Sequence, residues 1–418
     1  LGVSCTNLDE EVLDGVVISN TGGGTVNAAS LLTSSYEGLR GFETQGQMFA
    51  LDEMSSDALV GPTRGGDWDD NATWRQIHVH TWAPDHNEVK NAWNTLLSQV
   101  YNCNLVIENG SGSQIPQARF LRAFYYYNVI DLFGQAPYRE AGSPLTDDPK
   151  VWTRTEATEF VISELEAIVG SLPARTAGDA SLANADAAHF LLAKLYLNKG
   201  VFEAADAAGP FTFAAADMTK VVTNVDAINS SLATDYWDNF KPTNNTSPEI
   251  LLSSKNVQGG AGGGIQYHWR MGMHYNQTPD GWNGFAIVAE YYNNFNPNDR
   301  RIKNSDPQII ADFGNNVGMQ IGQMYKPGGA VALKDRNGHP LFYTSAITLI
   351  TSGATLETAG IRMEKYIPDA ANLGAPNNDF VFMRYSDALM MKAEAIARGG
   401  AGTNDIAKLA TIVSRSGQ

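Results

Sequence analysis

A chain of 418 residues with 43% hydrophobic and 18% charged residues is an ordinary folder, with enough length for one large core or roughly two to three smaller ones. Its formal net charge of -16 argues against nucleic acid as a partner, because a phosphate backbone needs clustered Lys and Arg and no such cluster is visible. No apolar stretch approaches the roughly 20 residues needed to cross a bilayer, and the two cysteines cannot build a disulfide scaffold.

Cys5 comes first, ahead of a short acidic run over 7–11. A lone cysteine leading into a polar tether is where a bacterial lipoprotein receives its lipid, which would hold the chain on a membrane surface without a spanning segment. Residues 2–4 match the usual small-residue processing site loosely. Asn27 is placed to cap a helix over 28–41, with Leu31, Leu32, Tyr36 and Leu39 at helical spacing. A second short helix is expected over 50–58, then a loop over 61–70 set by Pro62 and its glycines. The spacing of Trp93, Leu97, Val100 and Tyr101 predicts a helix over 86–103. Residues 117–133 are apolar around so much of a helix that they must be sandwiched between others. A third long helix is expected over 155–169, capped by Thr155 with Glu159 near its positive end, and a fourth over 184–198, stopped at Gly200.

An internal echo follows. Residues 193–200 lead into 201–207, and 391–400 lead into 404–413: each is an alanine-rich helix, a glycine break and a second alanine-bearing helix. Small residues let paired helices approach closely, as in the helix-turn-helix unit of tetratricopeptide repeats. Between these ends, 255–280 and 306–352 are rich in glycine and lack a 3.6-residue period. That marks a loop-rich insertion of roughly 100 residues, the natural carrier of a ligand site on a helical frame.

The irregular parts concentrate aromatic and neutral polar side chains. Trp68, Trp74 and Trp82 fall near Asp67, Asp69, Asn71, His78 and His80, and a second group holds Tyr267, His268, Trp269, His274, Tyr275 and Trp282. Flat indole and phenol faces match the C–H faces of a sugar ring, while Asn, Asp and Arg hydrogen-bond its hydroxyls. The competing reading is that such rings plug loops onto the helices. His78 and His80 would share one face of a strand and could hold zinc, but no HExxH accompanies them. Carboxylates such as Asp67 and Asp69 could serve acid/base work or calcium. There is no GxSxG, and the glycine run at 259–264 lacks the Lys-Ser/Thr of a phosphate loop.

An ordered series of motifs resembles the SusD/RagB family of outer-membrane glycan-binding lipoproteins along nearly the whole chain. It comprises Ser4-Cys-Thr-Asn-Leu-Asp-Glu-Glu11, Pro62-Thr-Arg-Gly-Gly-Asp-Trp68, Trp74 to Trp82 with Trp93 and Asn104, and Arg119-Phe-Leu-Arg-Ala-Phe-Tyr-Tyr126. Asp131-Leu-Phe-Gly-Gln-Ala-Pro137, Phe240 with Glu249-Ile-Leu-Leu252, Asp299-Arg-Arg301 and Arg384-Tyr-Ser-Asp-Ala-Leu-Met-Met-Lys-Ala-Glu-Ala395 continue it in order.

The resemblance implies a mostly α, SusD-like helical body with tetratricopeptide-type helix pairs and a loop-rich ligand-binding face. In a single unit over 1–418, the scaffold would be 85–250 and 379–416, and the ligand face 1–84 and 251–378. It also implies a protein without catalytic activity or cofactor, lipid-anchored through Cys5 on the extracellular face of the outer membrane. Such a protein captures oligo- or polysaccharide for a partner SusC-like TonB-dependent transporter. Family ligand contacts map onto Trp68, Asn71, Trp74, Trp269, Tyr275 and Trp282. One departure is that family members usually continue with a further helical segment after 411–418, where this sequence stops. The rival classes are a helical-repeat adaptor, which needs an exposed groove on its helices, and a glycoside hydrolase, which needs two carboxylates about 5–10 Å apart.

Overall fold

The computed structural model describes residues 26–144, 146–257 and 264–417, so Cys5 and its tether lie outside the described residues. The N-terminal half is helical: α1 (Ala28–Glu37), α2 (Gln47–Ser55), α3 (Thr73–His78), α4 (Asn87–Asn109), α5 (Gln114–Phe133), α6 (Arg154–Ile168), α7 (Ala185–Phe202) and α8 (Ala215–Ala227). Short helices α9 (Tyr267–Arg270), α10 (Ala289–Tyr292) and α11 (Pro307–Phe313) interrupt the middle, and α12 (Tyr385–Ala397) and α13 (Ile406–Arg415) end the chain.

Sequence chemistry explains the ends of these helices. Asn27 accepts from the Ser30 backbone at 3.1 Å, and Gly134 leaves α5 with φ +69°, a conformation that costs a side chain dearly. Thr153, rather than the expected Thr155, caps α6 through a reciprocal box with Glu156, so the helix starts slightly earlier than expected. α5 is indeed sandwiched: it packs on α4 and α6, burying Phe120, Leu121, Phe124, Tyr125, Tyr126, Val129 and Ile130.

Gly200 does not stop α7. The helix runs through it to Phe202, because the glycine serves a close approach: a Cβ there would lie 2.0 Å from the Thr212 carbonyl oxygen. The partner of α7 is therefore α8, not residues 201–207, and α8 presents Met218, Val221, Val222 and Val225 inward. The second echo folds into α12 and α13, with α12 packed on α8 and α7. On α13, Ile406 and Val413 stay exposed.

Short strands tie the helical body to the loops. Leu59–Val60 pairs with Ala286–Ile287, Thr63–Arg64 runs parallel to Ile350–Thr351, and Ile250–Ser254 pairs with Phe380–Arg384. Val317–Gln320 lies between Lys303–Asn304 and Arg362–Glu364. The early loop is thereby stitched into the middle of the chain, more than 200 residues away in sequence. At the junction with α12 and α13, fully buried Glu249 accepts from Arg415 Nη2 at 2.8 Å, Arg384 Nη1 at 3.2 Å and the Ala233 backbone at 3.0 Å. Among the described residues, no helix is long and apolar enough to cross a membrane.

Candidate functional site

Two loops bring the aromatic groups together. In the first, the Arg64 and Asp67 backbones exchange hydrogen bonds at 2.8 and 3.0 Å, and the chain then enters a run of left-handed residues. Trp68, Asp70, Asn71 and Ala72 have φ of 59°, 41°, 54° and 64°. Each such non-glycine residue costs on the order of 1–2 kcal/mol, which the contacts around the loop must offset. The turn leaves Asn71 exposed and sends Trp74 inward on α3, where its Nε1 donates to Asp70 Oδ2 at 2.7 Å.

In the second loop, residues 267–285 fold back on themselves. The Trp282 backbone donates to the Arg270 carbonyl at 2.6 Å, and Asn283 donates to Met273 at 2.8 Å. Trp282 tilts against Tyr267 with ring centroids 5.3 Å apart, and Arg270 pairs with Asp280 at 3.6 Å. The two loops meet where Trp68 Nε1 donates to the Trp282 carbonyl at 2.9 Å. Gly284 makes that meeting feasible: a Cβ on it would lie 2.4 Å from the Trp68 ring.

Of the six side chains expected to face a ligand, the structure leaves four at the surface. Asn71 is exposed, and Trp68, Tyr275 and Trp282 are half-buried. Trp74 (7% exposed) and Trp269 (0%) are corrections to the expectation. Trp74 lies under Trp68, both rings packing on Phe285 at about 5 Å, and Trp269 is sealed from solvent at the loop's base. Neither offers a face on which a sugar could stack. His268 and His274 are also buried, whereas Trp82 is exposed and pairs with His80 at 5.6 Å. His78 and His80 do not share a strand: His78 ends α3, and left-handed His80 bonds the Ser55 carbonyl at 2.8 Å.

Sequence reading passed over the residues that hold the loops. Arg64 (2% exposed) donates to the carbonyls of Gly284, Leu356 and Ala359 at 2.9–3.1 Å. Arg362 (0%) donates to Asn283 Oδ1 at 2.9 Å and to the Glu357 carbonyl at 3.3 Å, with its guanidinium 4.8 Å from the Tyr343 ring. Among the described residues, neither forms an ion pair with a carboxylate. Burial, with each guanidinium's repulsion of the other adding to it at Arg64, holds both below the usual arginine range. Arg64 was visible within the Pro62 to Trp68 motif, but nothing local marks an arginine as a staple of carbonyls.

Hydrogen bonds from Arg75 (2.8 Å) and Thr63 (3.1 Å) hold Asp69 below the usual carboxylate range, which disfavours the protonated form that a general acid needs. Carboxylates that burial pushes up, Glu43 to about 7 and Asp379 to about 6, instead serve Ser254, Asn256 and Ser253. No group of three or more His, Cys, Asp and Glu among the described residues could hold a metal ion. Two adjoining cavities of about 650 and 470 Å³ share Tyr236, Tyr366 and Arg384 and include none of Trp68, Tyr275 or Trp282.

Comparison with known proteins agrees with the architecture. Residues 222–415 match the SusD family model, and 17–197 match the model described as starch-binding, associating with outer membrane. The chain is 27% identical over 384 residues to the starch-binding protein SusD of Bacteroides thetaiotaomicron, covering 82% of this chain and 66% of that protein. A SusD-like protein of Formosa agariphila is 24% identical over 189 residues, 41% of this chain and 33% of its own. The chain therefore spans about two thirds of one curated relative and one third of the other. Among solved structures, a laminarin-binding SusD-like protein superposes with a TM-score of 0.67 at 18% identity, covering 93% of this chain and 84% of its own. Surface glycan-binding protein A of B. thetaiotaomicron, in complex with laminarihexaose, gives 0.60 at 16% over 93% and 82%.

Proposed function

The chain belongs to the SusD/RagB family of outer-membrane glycan-binding proteins, and from that premise we propose that it captures an oligo- or polysaccharide at the cell surface without chemically altering it. The observation that carries this reading is the meeting of Trp68 and Trp282 from separate loops, with Asn71 and Tyr275 also accessible. Half-buried rings held from behind can stack on a sugar without first being ordered, which lowers the entropic cost of capture. Trp74 and Trp269 form the support rather than the contact surface.

Delivery to a SusC-like TonB-dependent transporter, and anchoring to the outer membrane through Cys5, complete the proposal. The family premise supports the first, and the lone cysteine ahead of an acidic tether supports the second. An anchored binder works at high effective concentration beside its transporter, so modest affinity suffices and eases hand-over. The test is calorimetry against starch, laminarin, inulin and mannan with the wild type and Trp282→Ala. Binding to at least one glycan, weakened tenfold or more by the substitution, is expected; no binding to any of the four refutes capture through this face.

A further inference from the structure

Beside the aromatic loops, the turn over 334–340 presents a cation held from three directions. Asp335 fixes the turn by accepting from the backbones of Asn337 and His339, both at 2.8 Å, and Gly338 takes φ +88°. Asn276 Nδ2 reaches across to the Lys334 carbonyl at 2.9 Å, bolting the turn to the loop that carries Tyr275. Above it, the Arg336 guanidinium lies 4.3 Å from the centroid of the Tyr275 ring. Glu357, almost fully buried, accepts from the Arg336 backbone at 2.9 Å and from its Nε.

A histidine completes the clamp. His274 Nδ1 accepts from the Asn276 backbone at 3.0 Å, so in the neutral ring Nε2 carries the proton and donates to Glu357 at 2.8 Å. Burial holds His274 below the usual imidazole range, which keeps it neutral and leaves Glu357 as the counter-charge to Arg336. With Nε tied back, Arg336 Nη1 and Nη2 have no hydrogen-bond acceptor among the described residues, and the side chain is 46% exposed. A guanidinium immobilised on a ring, with its outer nitrogens open to solvent, is a pre-set fork of donors.

From this geometry we infer that Arg336 is a further ligand-contacting residue whose outer nitrogens take two adjacent hydroxyl oxygens of a neutral sugar, with Glu357 as its positioning residue. The inference rests on the capture reading above and adds a residue and a substrate class to it. Neutrality follows from the surrounding charge. Arg336 is matched by Glu357 and Arg270 by Asp280, Arg64 and Arg362 lie buried behind the face, and exposed Asp67 is near enough for its charge to act on Arg336 as well. An anionic sugar at Arg336 would also face the negative charges of Glu357 and Asp67.

The test measures binding of starch, laminarin, inulin, mannan and polygalacturonate by affinity electrophoresis and calorimetry at 50 and 500 mM NaCl. The proteins are the wild type, Arg336→Ala, Arg336→Lys, Glu357→Gln and the Ala/Gln double variant. Expected is binding of a neutral glycan that changes less than about twofold with salt, weakened roughly tenfold in Arg336→Ala and only partly restored in Arg336→Lys. Glu357→Gln should weaken it as well, yet add nothing in the Arg336→Ala background. Wild-type binding that Arg336→Ala leaves unchanged overturns this inference alone. Salt-sensitive, Arg336-dependent binding of polygalacturonate overturns the neutral-sugar assignment, multiplicative losses in the double variant overturn the role of Glu357, and no wild-type binding at all overturns the capture reading with it.

Discussion

Replacing Trp269 and Trp282 in turn separates support from contact, because the two indoles lie in one loop and differ in burial. Trp269 is wholly enclosed, and an aromatic of its size buries about 150–250 Å². At about 25 cal/mol per Å² the transfer contribution is roughly 4–6 kcal/mol, and truncations of buried aromatics to alanine cost about 3–5 kcal/mol. Trp269→Ala should therefore lower unfolding free energy by about 3–5 kcal/mol, read by urea denaturation followed by circular dichroism. Its indole Nε1 has no hydrogen-bond partner among the described residues, so Trp269→Phe removes a donor left unsatisfied there and should cost well under half as much. Trp282 is half-buried, and its backbone carbonyl rather than its ring receives Trp68 Nε1. Trp282→Ala should cost less than about 2 kcal/mol while weakening glycan binding tenfold or more. If Trp269→Ala leaves the denaturation midpoint in place and abolishes binding, the division between floor and face is wrong.

Two further substitutions probe the frame. Burial alone would raise the Glu249 pKa, but the Arg415 hydrogen bonds, with Ser386 and the nearby Arg384 charge, more than offset it and hold the carboxyl at about 2, against about 4.5 unfolded. A folded pKa depressed below the unfolded one stabilises above pH 4.5, and that stability is lost as pH falls toward 2; its size is roughly 3 kcal/mol. Glu249→Gln should destabilise at pH 7 and flatten the acid limb between pH 5 and 2, measured by urea midpoints; a limb as steep as wild type would disprove the linkage. Gly284→Ala would drive a methyl into the Trp68 ring and toward the Met271 carbonyl at 2.8 Å. Displacement of Trp68, seen as altered near-ultraviolet circular dichroism together with weaker glycan binding, is the expected result.

Legibility followed physical periodicity. The long helices could be read because their apolar side chains recur every three to four residues, and α5 could be read as sandwiched because it is apolar nearly all round. The α8 stripe of Met218, Val221, Val222 and Val225 was equally visible, but the glycine at 200 drew the pairing to the wrong segment. A glycine demanded by a crossing carbonyl looks, in sequence, the same as one that ends a helix. Two-residue strands such as Leu59–Val60 have no period to detect, and their partners lie hundreds of residues away. Aromatic content showed which loops matter without showing which rings point outward. Arg336 sits in an Asp-Arg-Asn-Gly turn that was readable as a turn, but its value comes from Glu357 and Tyr275, which only the fold brings to it.

The buried arginines explain why an irregular face can still be rigid. The segments that build it, near residues 64, 284 and 357, share no regular sheet wide enough to hold them, so their carbonyls need donors from elsewhere. One guanidinium supplies several donors in a fixed plane, and Arg64 spends them on three separate backbone positions. A carboxylate partner would neutralise the charge but satisfy none of those carbonyls, which accounts for the absence of an ion pair at either Arg64 or Arg362 among the described residues. The ordering of the loops is thus achieved at folding rather than at binding. On the proposed reading, a face prepared in this way holds a sugar through a few rings and one forked donor and still releases it, because little of its own structure depends on the ligand.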